Sequence, residues 1–322
     1  MNRLQSRPFT SDDIPAAADL LAARHRRHRR AWPALDERYQ SVDATRALIA
    51  ELFARDGASG AIVHVGAEPQ AFVLGAPRDA SWGANVWVED CGSATETPDA
   101  VRLAYSTAVA KWAGEGRTGH YVVVPATDEP IVDAWFRLSF GLQHIHGVQE
   151  APGTDFQPAP GADLTIRLAE QRDIAALVEM DPVLPAHSGQ SPIFSPRPSP
   201  TAAESRQEVE QDLTDSRFTA LVVEHDGRVI GTATACSLEV SNGNTSMMRP
   251  RRCGFLGYAV VSPDARGLGA GRALSDAVLA WSRDQGYEWV ATDWRSTNVE
   301  ADRTWRSAGY RPTFFRLHRS IA

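Results

Sequence analysis

The sequence predicts an α/β fold made of two mixed-sheet domains in tandem, and three observations lead there. The chain has 322 residues, more than one typical compact domain and comfortable for two. Residues 151–162 contain Pro152, Gly153, Pro158, Pro160 and Gly161 with no periodicity, and read as a linker between domains at 1–150 and 163–322. The two sides also repeat each other. Arg7 and Asp13-Ile14 match Arg167 and Asp173-Ile174 at a constant offset of 160, as do the apolar runs 61–65 and 221–225. Trp135 matches Trp305, and Phe140 matches Tyr310, at an offset of 170. Three matches in one order favour two copies of one fold, the second about ten residues longer in its middle.

The second copy shows its elements in sequence. Residues 164–168 alternate as a first strand, and 171–180 form a short helix. Strands at 219–224 and 228–237 flank the Asp226-Gly227 turn as a hairpin. Residues 253–261 form a further strand. Residues 271–285 form an amphipathic helix with Ala273, Leu274, Ala277, Val278 and Trp281 on one face, ended by Gly286. A strand at 288–294, a helix at 299–307 and a strand at 313–319 complete the domain.

Composition narrows the function. A net charge of −7 argues against a broad nucleic-acid footprint and suits cationic small substrates. Cys91, Cys236 and Cys253 are too widely spaced for a zinc pattern or a disulfide framework, so they read as core residues of a protein in a reducing cytoplasm, with no metal. The first twenty residues include Asp12, Asp13 and Asp19 and lack a signal peptide's apolar stretch, and no 18-residue apolar run suggests a membrane span.

The chemistry concentrates in residues 260–272, VVSPDARGLGAGR. A strand ends at Pro263; Arg266, Gly267, Gly269 and Gly271 follow, and a helix begins. Glycines open unusual backbone conformations and leave room for close approach. Amides of such a turn and of a helix start form a donor cluster for phosphate oxygens, and Arg266 and Arg272 add positive charge. A Walker loop is excluded because Arg272 and Ala273 follow Gly271. A dinucleotide fingerprint is excluded because the sixth position is Arg272 counted from Gly267, and Leu274 counted from Gly269.

The pattern that remains resembles the pyrophosphate loop of the GNAT superfamily of acyl-CoA N-acyltransferases, through Arg266, Gly269 and Gly271. A second block of that family is matched by Asn298, Ala301, Trp305, Gly309 and Tyr310. The resemblance covers residues 163–322 and implies two GNAT-like domains with central strands splayed to hold CoA in the second. The implied contacts to acetyl-CoA, as co-substrate, are Val260, Val261, Arg266, Gly267, Leu268, Gly269, Ala270, Gly271, Arg272, Asn298 and Trp305. It further implies direct attack by an acceptor amine on the thioester in a ternary complex. The enzyme must align the two, keep the amine neutral and see the leaving thiolate protonated.

The sequence departs from the family pattern in two places. Many members carry a Tyr where this chain has Trp305, whose indole N–H is a donor but not a useful acid. Some carry a Glu on the strand before the loop, whereas residues 253–261 hold no acidic residue. Asp293 or Glu239, acting through water, are candidate bases, and Tyr258 is a candidate acid.

The first copy has lost the loop. Residues 86–99 keep one glycine, Gly92, and place Glu89, Asp90, Glu96 and Asp99 where arginines would sit; Asp128 replaces Asn298. Such carboxylates would repel a pyrophosphate, so this copy reads as degenerate and without CoA. The run RHRRHRR at residues 24–30 continues a helix and reads as a solvated face or partner contact rather than a nucleic-acid patch. Residues 182–200 hold six prolines and read as a long loop, with His187, Phe194 and Arg197 as candidate substrate contacts. His144 and His146 face one side of a strand, in the core or on an acceptor wall. The leading function is acetylation of a primary amine of a small molecule by a monomer or homodimer. The alternatives are a protein or peptide N-acetyltransferase and a non-catalytic acyl-CoA-binding protein.

Overall fold

The computed structural model describes residues 3–78, 82–158, 161, 163–195, 198–241 and 243–321. The chain forms two compact units. One comprises residues 1–145, 245–250 and 312–322; the other comprises 146–244 and 251–311. The end of the chain, Pro312–Ala322, thus falls with the first unit.

In the first unit, β1 (Leu4–Pro8), β2 (Ser59–Val65), β3 (Glu68–Gly75) and β5 (Ser93–Thr95) form an antiparallel sheet in that order. β4 (Asn85–Val88) pairs in parallel with β6 (Gly119–Pro125), and β6 pairs antiparallel with β13 (Arg311–Ser320). β7 (Gly141–Glu150) lies beside β13. Helices α1 (Ile14–Ala31), α2 (Val42–Phe53), α3 (Pro98–Gly114) and α4 (Glu129–Phe136) complete this unit. One buried cluster joins Leu21, Leu35, Ile49 and Leu52 to Phe72 and Phe314. A second joins Val63, Val73, Tyr105, Trp112, Trp135 and Leu317.

In the second unit, β8 (Leu164–Leu168), β9 (Phe218–His225), β10 (Arg228–Ser237) and β11 (Cys253–Val261) form an antiparallel run. β11 then pairs in parallel with β12 (Trp289–Arg295). Helices α5 (Ile174–Met180), α6 (Val183–Gly189), α7 (Ala202–Thr214), α8 (Ala270–Asp284) and α9 (Val299–Ala308) flank the strands. Two mixed-sheet domains in tandem, as the repeat predicts, are what the chain builds.

The repeat has a physical content. Arg7 pairs with Asp13 at 2.6 Å and Arg167 with Asp173 at 2.6 Å, each tying a first strand to the turn that opens the next helix. Asp13 and Asp173 also accept from the backbone N–H of Thr10 and Glu170, capping those turns reciprocally. At the far end, Trp135 meets Phe140 edge-on at 5.0 Å, and Trp305 meets Tyr310 edge-on at 6.2 Å.

Two expectations are corrected. The 24–30 run is a solvated face only in part: Arg26, Arg27 and Arg30 are exposed, but Arg24, His25 and His28 are buried. Their neighbours are the reason. Arg24 donates to the carbonyl oxygens of Asp90 and Ser93, and His25 Nε2 bonds the Asp36 carbonyl at 2.8 Å. The 182–200 stretch is not one continuous loop, because α6 forms within it. Pro182 is its N-cap residue and Pro185 lies in its first turn, where no N–H is owed to the ladder. Among the described residues no helix is long and apolar enough to cross a membrane.

Candidate active site

The ladder between β11 and β12 runs from Cys253–Trp289 to Leu256–Thr292 and stops there, although both strands continue. Thr292 Oγ1 donates to the Leu256 carbonyl at 2.9 Å at this last rung. The opposite edge of β11 stays paired with β10 up to Val261. The β10–β11 register also shifts between Thr234 and Ala235, leaving Gly257 as the extra residue of a bulge. The strands therefore splay, and a cavity opens on each side of the Tyr258–Ala259 step.

The first, the loop cavity, encloses about 460 Å³. Its walls include Val260 and Val261 from β11, the loop from Arg266 to Arg272, and Asn298 and Trp305. Every cofactor residue expected from sequence lines it except Leu268, which is exposed at the tip of the turn. The glycines divide their work. Gly267 and Gly269 have φ of +88° and +82°, a left-handed conformation that favours glycine. Gly269 is also the N-cap residue of α8, so the free amides of that helix start open onto the cavity. At Gly271 a Cβ would lie 3.6 Å from Thr304 Cγ2, an ordinary contact, so glycine here keeps space for a ligand rather than avoiding a clash.

Charge complements the amides. Arg266 donates to Glu300 Oε1 at 3.3 Å, and Arg272 donates to Asp276 at 2.8 Å and to the Ser307 carbonyl at 2.8 Å. Two guanidiniums thus hold fixed positions beside a helix N-terminus, a donor set that fits the pyrophosphate of acetyl-CoA. Asn298 caps α9, accepting from the Ala301 N–H at 3.1 Å. His187, expected as a substrate contact, lines this cavity from α6. Val183, Leu184 and Thr304 line it too and were missed in the sequence.

The second, the acidic cavity, encloses about 310 Å³ and is lined by Asp181, Glu208 and Asp212, by Phe218 and Phe255, and by Tyr258. The Tyr258 hydroxyl is buried and has no hydrogen-bond partner among the described residues. Burial is the first cause that raises its pKa, followed by Asp181 and Glu208, so it stays protonated. Neither Asp293 nor Glu239 lines either cavity; Asp293 is half-buried and Glu239 is exposed on a turn after β10. Phe194 is exposed, and Arg197 lies outside the described residues. His144 and His146 are buried on β7, with His146 Nδ1 3.1 Å from Asn244 Oδ1.

The matching place in the first unit is filled. The hollow among Arg24, Ser93, Thr95 and Asp128 encloses only about 10 Å³. Glu89 accepts from Arg55 at 2.7 Å and from Arg78 at 2.7 Å. Burial lifts the Asp90 carboxyl and lowers the Arg24 guanidinium from their ordinary values. Glu89, Asp90 and Cys91 offer ligand atoms within 4.8 Å of one another, but Glu89 is committed to its arginines and burial pushes the Cys91 thiol far up.

The fold, the glycine loop at a helix start and the splayed strands define an acyl-CoA-dependent N-acyltransferase. A family model described as the acetyltransferase (GNAT) family matches residues 187–310. An aminoglycoside N(6')-acetyltransferase type 1 of Stenotrophomonas maltophilia is 34% identical over 124 residues, which cover 37% of this chain and 78% of the relative. A GCN5-related N-acetyltransferase structure from Sphaerobacter thermophilus superposes with a TM-score of 0.58 at 16% identity, covering 99% of this chain and 96% of that one. A tandem GNAT protein from the clavulanic acid biosynthesis pathway gives a TM-score of 0.48 at 14% identity, covering 99% and 98%. The chain belongs to the GNAT acetyltransferase family.

Proposed function

We propose that the chain transfers an acetyl group from acetyl-CoA to a primary amine of a small molecule by direct attack in a ternary complex. Residues 163–322 supply the cofactor site, 151–162 the linker, and 1–150 a degenerate copy that holds no CoA. The observation that carries this reading is the loop cavity, with Gly269 opening a helix start at one end and the unpaired edge of β11 along its wall. Bound acetyl-CoA would supply an activated acyl carbon. The amides of residues 267–271, with Arg266 and Arg272, would hold its pyrophosphate. The backbone of Val260 and Val261 would align its chain, and Trp305 would wall the channel. The amine nitrogen forms the new N–C bond as the C–S bond breaks, and one proton passes from nitrogen to sulfur or solvent.

The experiment is steady-state release of CoA thiol with the full chain, acetyl-CoA and a panel of small amines. Saturable, amine-dependent release is expected. Amine-independent rates across the panel, with acetyl-CoA bound, would overturn the reading.

A further inference from the structure

Helix α7 opens with Thr201 as N-cap residue, which is closed into a capping box by Glu204. Its sheet-facing side follows the spacing i, i+3, i+4, i+7, i+8: Ser205, Glu208, Val209, Asp212 and Leu213. A core-facing helix ordinarily fills that stripe with apolar side chains. Here Glu208, which is exposed, and half-buried Asp212 occupy it and line the acidic cavity. Buried Ser205 donates to Asp181 Oδ2 and holds a third carboxylate there.

These acids lack a counter-charge in the wall. Among the described residues, no Lys, Arg or His lines the cavity. Burial is the first cause that raises the Glu208 and Asp212 carboxyls above their ordinary range. Asp181 and Asp212 add to it for Glu208, and Asp215 for Asp212. Cations held in the cavity would relieve the mutual repulsion of these carboxylates. The remaining wall is largely apolar, with Phe218 and Phe255, and the Tyr258 hydroxyl is buried without a hydrogen-bond partner among the described residues. Tyr258 lines this cavity and the next residue, Ala259, lines the loop cavity, so the acids open toward the place where the thioester would lie.

The chemistry adds a second constraint. A carboxylate favours the charged form of a bound amine, whereas attack requires the neutral form. A monoamine held by these acids would be trapped as ammonium. We propose that the acidic cavity is the acceptor site and takes a small molecule with at least two amines. One is held as ammonium by Asp181, Glu208 and Asp212, while another presents neutral nitrogen beside Tyr258. This rests on the transferase reading above and adds the acceptor class.

The test separates the two readings by measuring binding as well as turnover. Calorimetry on CoA-saturated full-length protein compares 1-aminohexane, 1,6-diaminohexane and spermidine. At least one polyamine should bind about tenfold more tightly than the monoamine, and the difference should shrink in about 0.5 M salt. The double variant Glu208→Gln/Asp212→Asn should lose about tenfold in polyamine affinity while CoA affinity and circular dichroism stay unchanged. Equal binding of all three amines, or full polyamine binding by the double variant, overturns the proposal. Acid-dependent polyamine binding without any CoA release would leave the acidic site standing and sink the transferase reading.

Discussion

Ser246 donates to both carboxylate oxygens of Asp90, at 3.0 and 2.8 Å, at the point of the first unit where the second unit carries its glycine loop. Arg24 closes the same place from α1 through two backbone carbonyls. The hollow left is about the size of one water. One acetyl-CoA per chain is therefore expected. Titration calorimetry gives the stoichiometry, and a value of two would overturn the assignment of the first unit as degenerate.

Gly271→Trp should abolish CoA binding in a folded protein. Its Cβ fits at 3.6 Å from Thr304, so the backbone need not move, while the indole would fill the loop cavity. By contrast, Gly269→Ala meets open space and fails for a different reason, the φ of +82°. It should cost about 1–2 kcal/mol at the start of α8. Fluorescence titration with CoA and thermal melting distinguish the two. Unchanged CoA affinity in a folded Gly271→Trp variant would show that the cofactor binds elsewhere.

Trp305 lines the loop cavity and packs edge-on against buried Tyr310. An aromatic ring in that position requires no proton chemistry. Trp305→Phe should change kcat by less than about tenfold, below the range of general acid catalysis. A loss beyond about 100-fold with acetyl-CoA affinity intact would give the indole a catalytic duty.

These sites were legible to different degrees, for physical reasons. Arg266, Gly269 and Gly271 could be read because positive φ and close approach to phosphate leave few residue types available. The repeat could be read because Arg7–Asp13 and Arg167–Asp173 need the same partners at the same spacing. Arg24 could not be read: a basic run signals solvent, and only the fold reveals carbonyl oxygens that satisfy a buried guanidinium. Glu208 and Asp212 carry helical spacing, but a carboxylate on an inward stripe is visible only once the inward direction is known. The pairing of β13 with β6 is likewise non-local, since strand propensity does not name a partner.

Acid should destabilise the first unit. Burial is the first cause that lowers the pKa of His25 to about 4 and of His28 to about 3, with Arg24 adding to both. Unfolded histidine titrates near 6.5, so below that the unfolded chain binds more protons. Stability contributed by these groups is complete above about pH 6.5 and is lost as pH falls toward the folded values. Asp90, lifted to about 6, acts in the opposite sense between its unfolded and folded values. A single variant isolates one term. His28 lies edge-on to Phe314 at 4.7 Å, so His28→Phe keeps an aromatic packing partner. Unfolding free energies from urea melts at pH 7 and pH 5 should converge in the variant by up to about 2 kcal/mol relative to wild type. Identical pH dependence in both proteins would remove His28 from the account.

Tyr258 is expected to position the acceptor rather than to protonate the leaving thiolate. A phenol titrates near 10 and a thiol near 8.5, so transfer from phenol to thiolate is uphill even in water. Burial, Asp181 and Glu208 raise the Tyr258 pKa further and steepen that climb. The attacking nitrogen is the better source, since forming the N–C bond makes its own proton strongly acidic. Tyr258→Phe should therefore lower kcat by less than about tenfold, short of a committed acid. Loss of the hydroxyl should raise the amine KM by a larger factor. Activity in both proteins should rise with pH as more of the amine becomes neutral, since an alkyl ammonium titrates near 10. The measurement is a pair of pH–rate profiles at saturating acetyl-CoA. A kcat loss of about 100-fold or more in Tyr258→Phe, with both substrates still bound, would make the phenol the acid and reverse this assignment.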